Sequence, residues 1–64
     1  MKIKILKAVV SCDPKDKNKS FKYLPNDVVR IKGSSKDLFD LDLTTFFDQH
    51  GFVFDLNKND YVVI

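Results

Sequence analysis

The sequence predicts an α+β domain, a small antiparallel sheet or open β-barrel of 4–5 strands with one short helix at about 43–50. Apolar runs rich in β-branched residues alternate with turn-forming residues, which is the pattern of an antiparallel sheet. One stretch, residues 42–51, instead has helix-capping residues at both ends. The length of 64 residues, with 44% hydrophobic residues and six Phe, suffices for a single small domain spanning 1–64.

Residues 2–10 are predicted to form the first strand, because lysine and isoleucine alternate at its start. Before Lys7 the apolar residues begin at odd-numbered positions, and around it they move to even-numbered ones. This change of phase indicates a bulge or a passage from a half-exposed to a buried segment. Residues 11–20 contain mostly lysines and turn-forming residues and almost nothing that a core could use. This segment is therefore predicted to be an exposed loop.

The next predicted element is a hairpin around Pro25-Asn26-Asp27. Proline holds φ at about −65° at the first corner of a turn, and asparagine tolerates the second corner. The flanking residues 21–24 and 28–32 have the aromatic and β-branched content of its two strands. Gly33, with the two serines that follow it, ends the second strand.

A second hairpin is predicted near the C-terminus, where Asn57–Asp60 separate the apolar runs 52–54 and 61–64. The terminal run Tyr-Val-Val-Ile is predicted to be the last strand of the chain's own sheet, and the alternative is a strand added to the sheet of a neighbour. If it lies at a sheet edge, no proline or lysine within it prevents pairing with another copy.

Residues 36–50 allow two interpretations. The first is a single long helix in which Ser34 and Asp37 form a capping box. Its apolar residues then share most of one face, but Asp42 falls on the apolar side and Leu41 falls off it.

The second interpretation explains both misfits and is preferred. Residues 38–41 form a short extended segment, and a helix begins with Asp42 as its N-cap. The leucine before the cap packs on Phe46 as a hydrophobic staple. His50 then lies in the last helical turn, and Gly51 takes the left-handed conformation that follows a helix.

Charge is sorted along the chain. Residues 1–36 hold ten of the eleven Lys and Arg residues and three of the nine Asp, so that this part carries about +7 and residues 37–64 carry about −5. Charge asymmetry of this kind concerns association with partners and says nothing of the fold.

The residues that chemistry requires are sparse, and we predict that the protein is not an enzyme and binds no metal or cofactor. Cys12 is the only cysteine and His50 the only histidine, and neither has a catalytic trio around it in the sequence. Gly33 and Gly51 stand alone, which excludes a glycine-rich phosphate loop. No stretch approaches the roughly 20 apolar residues of a membrane span, so no membrane partner is expected.

These observations predict a non-enzymatic protein-binding or assembly module that acts by charge-complementary contacts, with itself or with a larger protein. The alternative is a nucleic-acid-binding module in which lysines follow phosphates and aromatic rings stack on bases. The residues predicted to contact a partner are basic, aromatic and acidic: Lys15, Lys17, Lys19, Phe21, Lys22, Tyr23, Arg30, Asp40 and Asp48.

Two segments resemble short proteins of bacteriophage head and tail gene clusters. Residues 19–29, Lys-Ser-Phe-Lys-Tyr-Leu-Pro-Asn-Asp-Val-Val, are similar to the lysine-rich turn, aromatic residue, Gly-Asp pair and β-branched strand of those proteins, with Asn26 where glycine is usual. Residues 46–53 are similar to their short helix ending in glycine before an apolar pair. The resemblance implies a phage accessory or virion-associated protein in the host cytoplasm or the virion.

Overall fold

The computed structural model describes residues 1–64 and is an all-β structure without a helix, so the predicted α+β class is wrong. Seven strands are present instead of four or five: β1 Lys2–Ile5, β2 Val9–Cys12, β3 Ser20–Tyr23, β4 Val28–Lys36, β5 Leu43–Asp48, β6 Val53–Asn57 and β7 Tyr61–Val63. All their pairings are antiparallel, in the spatial order β3-β2-β6-β5-β4-β1-β7.

The segment predicted as a helix at 43–50 is mostly strand β5. Thr44, Phe46 and Asp48 are buried, and the residues between them are more exposed, which is the two-residue period of a strand. Two threonines followed by two phenylalanines favour extended backbone. Strands β4 and β6 pair with β5 on its two sides. Their hydrogen bonds satisfy the backbone N–H and C=O groups of β5, which in a helix would bond to each other.

Neither helical interpretation of residues 36–50 is therefore correct. Residues 38–41, predicted as a short strand in the preferred interpretation, lie in the loop between β4 and β5. Gly51 does have the predicted positive φ, 81°, but it lies in the turn between β5 and β6. The structure contains no helix of the length and hydrophobicity that crossing a bilayer requires.

The predicted first strand is interrupted, and the loop after it is shorter than predicted. Residues 6–8 separate β1 from β2, and the N–H of Leu6 donates to the carbonyl of Asp60, 2.8 Å away. Strand β2 continues to Cys12, so Ser11 is buried and not part of an exposed loop. Residues 13–19, which we call the lysine loop, connect β2 to β3.

The turn predicted around Pro25-Asn26-Asp27 forms, but its hairpin does not. The N–H of Asp27 donates to the carbonyl of Leu24 at 3.1 Å, and Asn26 has a φ of 77°. Strand β3 nevertheless pairs with β2, and β4 pairs with β1 and β5. The turn itself is bound to β1, because the N–H of Asn26 donates to the carbonyl of Ile5 at 2.7 Å.

The second predicted hairpin differs in the same way. The turn closes when the N–H of Asp60 donates to the carbonyl of Asn57, 2.9 Å away. Strand β7 then pairs with β1 rather than with β6. It is the last strand of the chain's own sheet, as predicted, and it lies at one edge, with β3 at the other.

The sheet curls around one small core and forms a half-barrel. The ring of Phe46 lies 4.9 Å from that of Tyr61, and Phe54 lies 5.4 Å from Tyr23, so residues near both edges pack on the middle strands. A bulge between Ile31 and Gly33 interrupts the β4–β5 register, and bulges of this kind bend a strand. The buried hydrophobic residues are Ile3, Ile5, Val29, Ile31, Phe46, Phe54 and Leu56.

Candidate functional site

Asp48 organises the turn at one end of the β4–β5 hairpin. Its side chain is fully buried, and its Oδ1 accepts the N–H of His50 at 2.8 Å and of Phe52 at 3.0 Å. Its Oδ2 accepts the hydroxyl of Tyr23 at 2.6 Å, which links strand β3 to the turn. A buried carboxylate needs such donors, because removing its charge from water is costly. Asp48 therefore stabilises the fold and is not part of an acidic surface.

Tyr23 is held in its neutral form by this arrangement. Burial is the main cause that raises the pKa of the Tyr23 hydroxyl, followed by its hydrogen bond to Asp48 and by the negative charges of Asp48 and Asp27. The hydroxyl thus remains a donor to Asp48 over the ordinary pH range.

A cleft lies above this pair, between β3 and β4, and we call it the aromatic cleft. Its volume is about 340 Å³, and the ring of Phe21 packs edge-to-face on Tyr23 with 4.9 Å between centroids. The only ion pair of the structure joins Lys58 to Asp42, so Arg30, which lines the cleft, has no carboxylate partner. The full lining is Phe21, Tyr23, Val28, Val29, Arg30, Gln49 and His50.

The cleft brings together three of the residues predicted to contact a partner: Phe21, Tyr23 and Arg30. Lys22 lies on the opposite face of β3, because successive side chains of a strand alternate. Asp40 lies in the loop at the far end of β4. His50, which was predicted to end a helix, instead contributes to the wall of the cleft.

The lysine loop, with Lys15, Lys17 and Lys19, projects from the same end of the sheet as the cleft. Cys12, which precedes the loop, pairs with Val53, and Val53 pairs with Phe47 at the end of β5. The loop therefore continues past the same sheet end as the Asp48 turn. This end, which we call the cleft end, carries these three lysines and Arg30.

The opposite end of the β4–β5 hairpin carries a feature that sequence reasoning missed, the acidic loop Asp37–Asp42. Three of its apolar side chains are in solvent: Phe39 is 100% exposed, Leu38 is 89% exposed and Leu41 is 71% exposed. Contiguous exposed apolar side chains mark interaction surfaces in folded proteins. The sequence interpretation placed these residues in a long helix or in a short extended segment before a helix, and not in an exposed loop.

The backbone of the acidic loop is well defined even though its side chains are exposed. Oδ1 of Asp37 accepts the N–H of Phe39 at 2.7 Å and of Asp40 at 2.9 Å. Oδ1 of Asp40 accepts the N–H of Asp42 at 3.1 Å. The two backbone hydrogen bonds lower the pKa of Asp37, so the carboxylate that holds the loop is ionised at neutral pH.

The acidic loop is also attached to the rest of the molecule. The N–H of Lys58, in the turn before β7, donates to the carbonyl of Asp42 at 2.8 Å, and its ammonium lies 3.3 Å from the Asp42 carboxylate. At the base of the loop, the N–H of Asp37 donates to the carbonyl of Leu43 at 3.0 Å. The loop is thus a fixed projection that presents apolar and acidic groups together.

The pattern Asp-Leu-Phe-Asp-Leu-Asp, residues 37–42, was the available signal for this loop. Aspartates at such spacing accept hydrogen bonds from nearby backbone N–H groups and favour turns over helix interiors. No protein-family model, no curated protein and no solved structure matches the chain. The acidic loop and the aromatic cleft are therefore interpreted from their geometry alone.

Proposed function

We propose that the protein is a non-enzymatic protein-binding module whose acidic loop is the recognition element. The observation that carries this proposal is the complete exposure of Phe39, with Leu38 and Leu41 beside it, on a backbone held by hydrogen bonds. Three large apolar side chains left in solvent contribute little to folding, and contiguous exposed apolar groups are typical of a surface that a partner covers. The assignment to phage accessory proteins stays a prediction from the sequence resemblance.

The chemistry of the loop supports a partner surface of a particular kind. Asp37 and Asp40 flank the apolar residues, and only Asp42 has a cation beside it. The complementary surface is therefore apolar at its centre, with lysine or arginine at its rim. Because the loop is already ordered, binding loses little conformational entropy, which favours affinity for a small contact.

Selection from a displayed random-peptide library tests the proposal without knowledge of the natural partner. The immobilised wild-type protein should enrich peptides that combine apolar and basic residues, and these should not bind the Phe39→Ser variant. Val10→Ser is the matched control, because Val10 is also an exposed apolar residue, 53% in solvent, but lies on β2. Peptides that bind wild type and Phe39→Ser equally well would contradict the proposal.

A second candidate, nucleic-acid binding, has one observation in its favour. The aromatic cleft combines Phe21, Tyr23 and Arg30, and the lysine loop lies at the same end. Stacking rings beside a basic surface are the usual elements of single-strand binding.

Salt dependence of oligonucleotide affinity tests this candidate. The logarithm of affinity should fall with the logarithm of salt concentration, and replacing Lys15, Lys17 and Lys19 by alanine should reduce that slope by about 0.7 for each lost phosphate contact. An unchanged slope in the triple variant would exclude the lysine loop from such a role.

A further inference from the structure

We propose that the acidic loop of one copy docks into the aromatic cleft of a second copy, so that the chain assembles head to tail. This inference rests on the proposed function and names its partner. In the proposed contact, Phe39 enters between the aromatic and aliphatic walls of the cleft, and Asp40 meets the guanidinium of Arg30.

The two surfaces are chemically complementary. The loop presents an aromatic and two leucine side chains, and the cleft presents Phe21, Tyr23 and two valines over a volume of about 340 Å³. That volume lies at the low end of the roughly 300–1,000 Å³ typical of binding pockets, so it suits one large side chain and its neighbour. Aromatic rings also favour edge-to-face packing on one another, as Phe21 and Tyr23 already show.

The charges agree with the same pairing. Arg30 has no carboxylate partner within the chain, and its planar fork of donors suits a carboxylate. Asp40 uses Oδ1 for a backbone N–H of its own loop and carries no ion pair, so Oδ2 is free to accept from a second molecule. The two other carboxylates near the cleft, Asp48 and Asp27, accept hydrogen bonds within the chain, and neither forms an ion pair with Arg30.

A loop cannot reach the cleft of its own chain. Strand β4 runs from Val28 to Lys36. Its first three residues line the cleft, whereas the acidic loop follows its last residue. The strand rise of about 3.3 Å per residue places Arg30 and the loop roughly 20 Å apart. This is most of the longest dimension of the molecule, 28 Å.

Opposite placement determines the form of the assembly. Each copy would use two different surfaces, and when these contact two different neighbours the contact is heterologous and generates a ring or an open filament. The lysine loop at the cleft end has three lysines and two aspartates, a net charge of +1, whereas the acidic loop at the other end has three aspartates, one of them paired with Lys58. Copies aligned head to tail therefore attract, and added salt weakens the attraction.

A mixing experiment tests the contact between loop and cleft, and growth of wild type beyond two chains distinguishes head-to-tail assembly from a closed pair. Phe39→Ser removes the loop contact but keeps the cleft, and Arg30→Asp does the reverse. Wild type should increase in mass with concentration up to about 1 mM in light scattering, because a contact smaller than roughly 1,200 Å² gives weak association. Each variant alone should remain a monomer, and an equal mixture should reach the mass of two chains and no more.

Lys7→Asp is the matched control for Arg30→Asp, because it makes the same change of charge. Lys7 is exposed, lies in the connection between β1 and β2 and does not line the cleft. This variant should assemble as wild type does at moderate salt. Circular dichroism of each variant should match wild type, which keeps loss of assembly separate from loss of folding.

Three results would overturn the inference. One is a wild-type protein that is monomeric throughout the concentration range, and another is an equal mixture that stays monomeric while wild type assembles. The third is a wild-type monomer whose cleft binds an oligothymidine, with that binding lost in Arg30→Asp. If wild type is monomeric but selected peptides still require Phe39, self-docking fails and the proposed protein-binding function stands.

Discussion

At the two ends of the β4–β5 hairpin, an aspartate accepts two backbone N–H groups from the turn that follows it. Asp48 accepts those of His50 and Phe52, and Asp37 accepts those of Phe39 and Asp40. Asp48 is fully buried and also accepts the Tyr23 hydroxyl, whereas Asp37 has no further partner. The same kind of hydrogen bonding thus links β5, the turn before β6 and β3 at one end of the hairpin, and orders an exposed loop at the other end.

The difference lies in what surrounds each turn. Near Asp48 the apolar side chains have neighbours within the chain, so the hydrogen bonds add to stability. In the acidic loop the apolar side chains are mostly in solvent, and in the proposed function the hydrogen bonds fix a shape for a second molecule to bind. The proposal therefore assigns stability to one end of the hairpin and recognition to the other, and substitutions at the two ends should have different effects.

The largest effect on stability is expected for Asp48→Ala. The change leaves the Tyr23 hydroxyl and two N–H groups without their acceptor, which should lower the free energy of unfolding by about 3 kcal/mol or more. Domains of this size have about 3–10 kcal/mol in total, so the variant is measured at low temperature with a stabilising osmolyte. Asp37→Ala is the control, and urea unfolding should show a much smaller loss. Equal losses would contradict the comparison.

Tyr23→Phe is expected to have the next largest effect, about 2 kcal/mol, because it removes a hydrogen bond to a charged group. The pKa of Tyr23 is raised by folding. Its contribution to stability is therefore fully present below the unfolded pKa of about 10 and is lost as pH rises above that value. Urea unfolding between pH 8 and about 11 should show a steeper decline for wild type than for the variant. Parallel curves would show that Tyr23 does not titrate as described.

Gly51→Ala tests the backbone of the turn that Asp48 holds. Gly51 has a φ of 81°, and a Cβ there would meet no atom within 4 Å, so the change acts through backbone strain alone. We expect a loss of about 1 kcal/mol in the free energy of unfolding. At Gly33 a Cβ would lie 3.9 Å from the Phe47 ring, which is ordinary contact, so Gly33→Ala should be milder. A larger loss at Gly33 would contradict this account.

The smallest effect on stability is expected for Phe39→Ser. Its side chain is 100% exposed and contacts no core residue, so the free energy of unfolding should change by less than about 0.5 kcal/mol. The same change should abolish self-association, which places the effect of Phe39 in binding alone. A large loss of stability would mean that Phe39 packs within its own chain.

The sequence predicted the turns better than the pairings. Asn26 and Gly51 have the positive φ that their residue types allow, and local chemistry is enough to predict this. Whether the two strands beside a turn pair with each other depends on distant residues. Here β1 pairs with β4 and with β7, and so replaces β3 and β6, the partners that the two predicted hairpins would have given them. Such long-range competition leaves no local signal.

The candidate site was predicted only in part, for a related reason. Phe21, Tyr23 and Arg30 were chosen by residue type, and the curl of the sheet places them in one cleft. The acidic loop was missed because apolar residues are expected to be buried, and a sequence does not show whether a chain has enough core to cover them. Asp42 resembled a helix N-cap because caps and turns use the same hydrogen bonds.

A double-mutant cycle on Arg30 and Asp40 tests the proposed contact most directly. The self-association constant would be measured by sedimentation for wild type, Arg30→Asp, Asp40→Arg and the double variant. Each single change should weaken association at least about tenfold, and the double variant should recover to within about threefold of wild type, because the charges are exchanged and not lost. Losses that simply add in the double variant would show that these two residues do not meet.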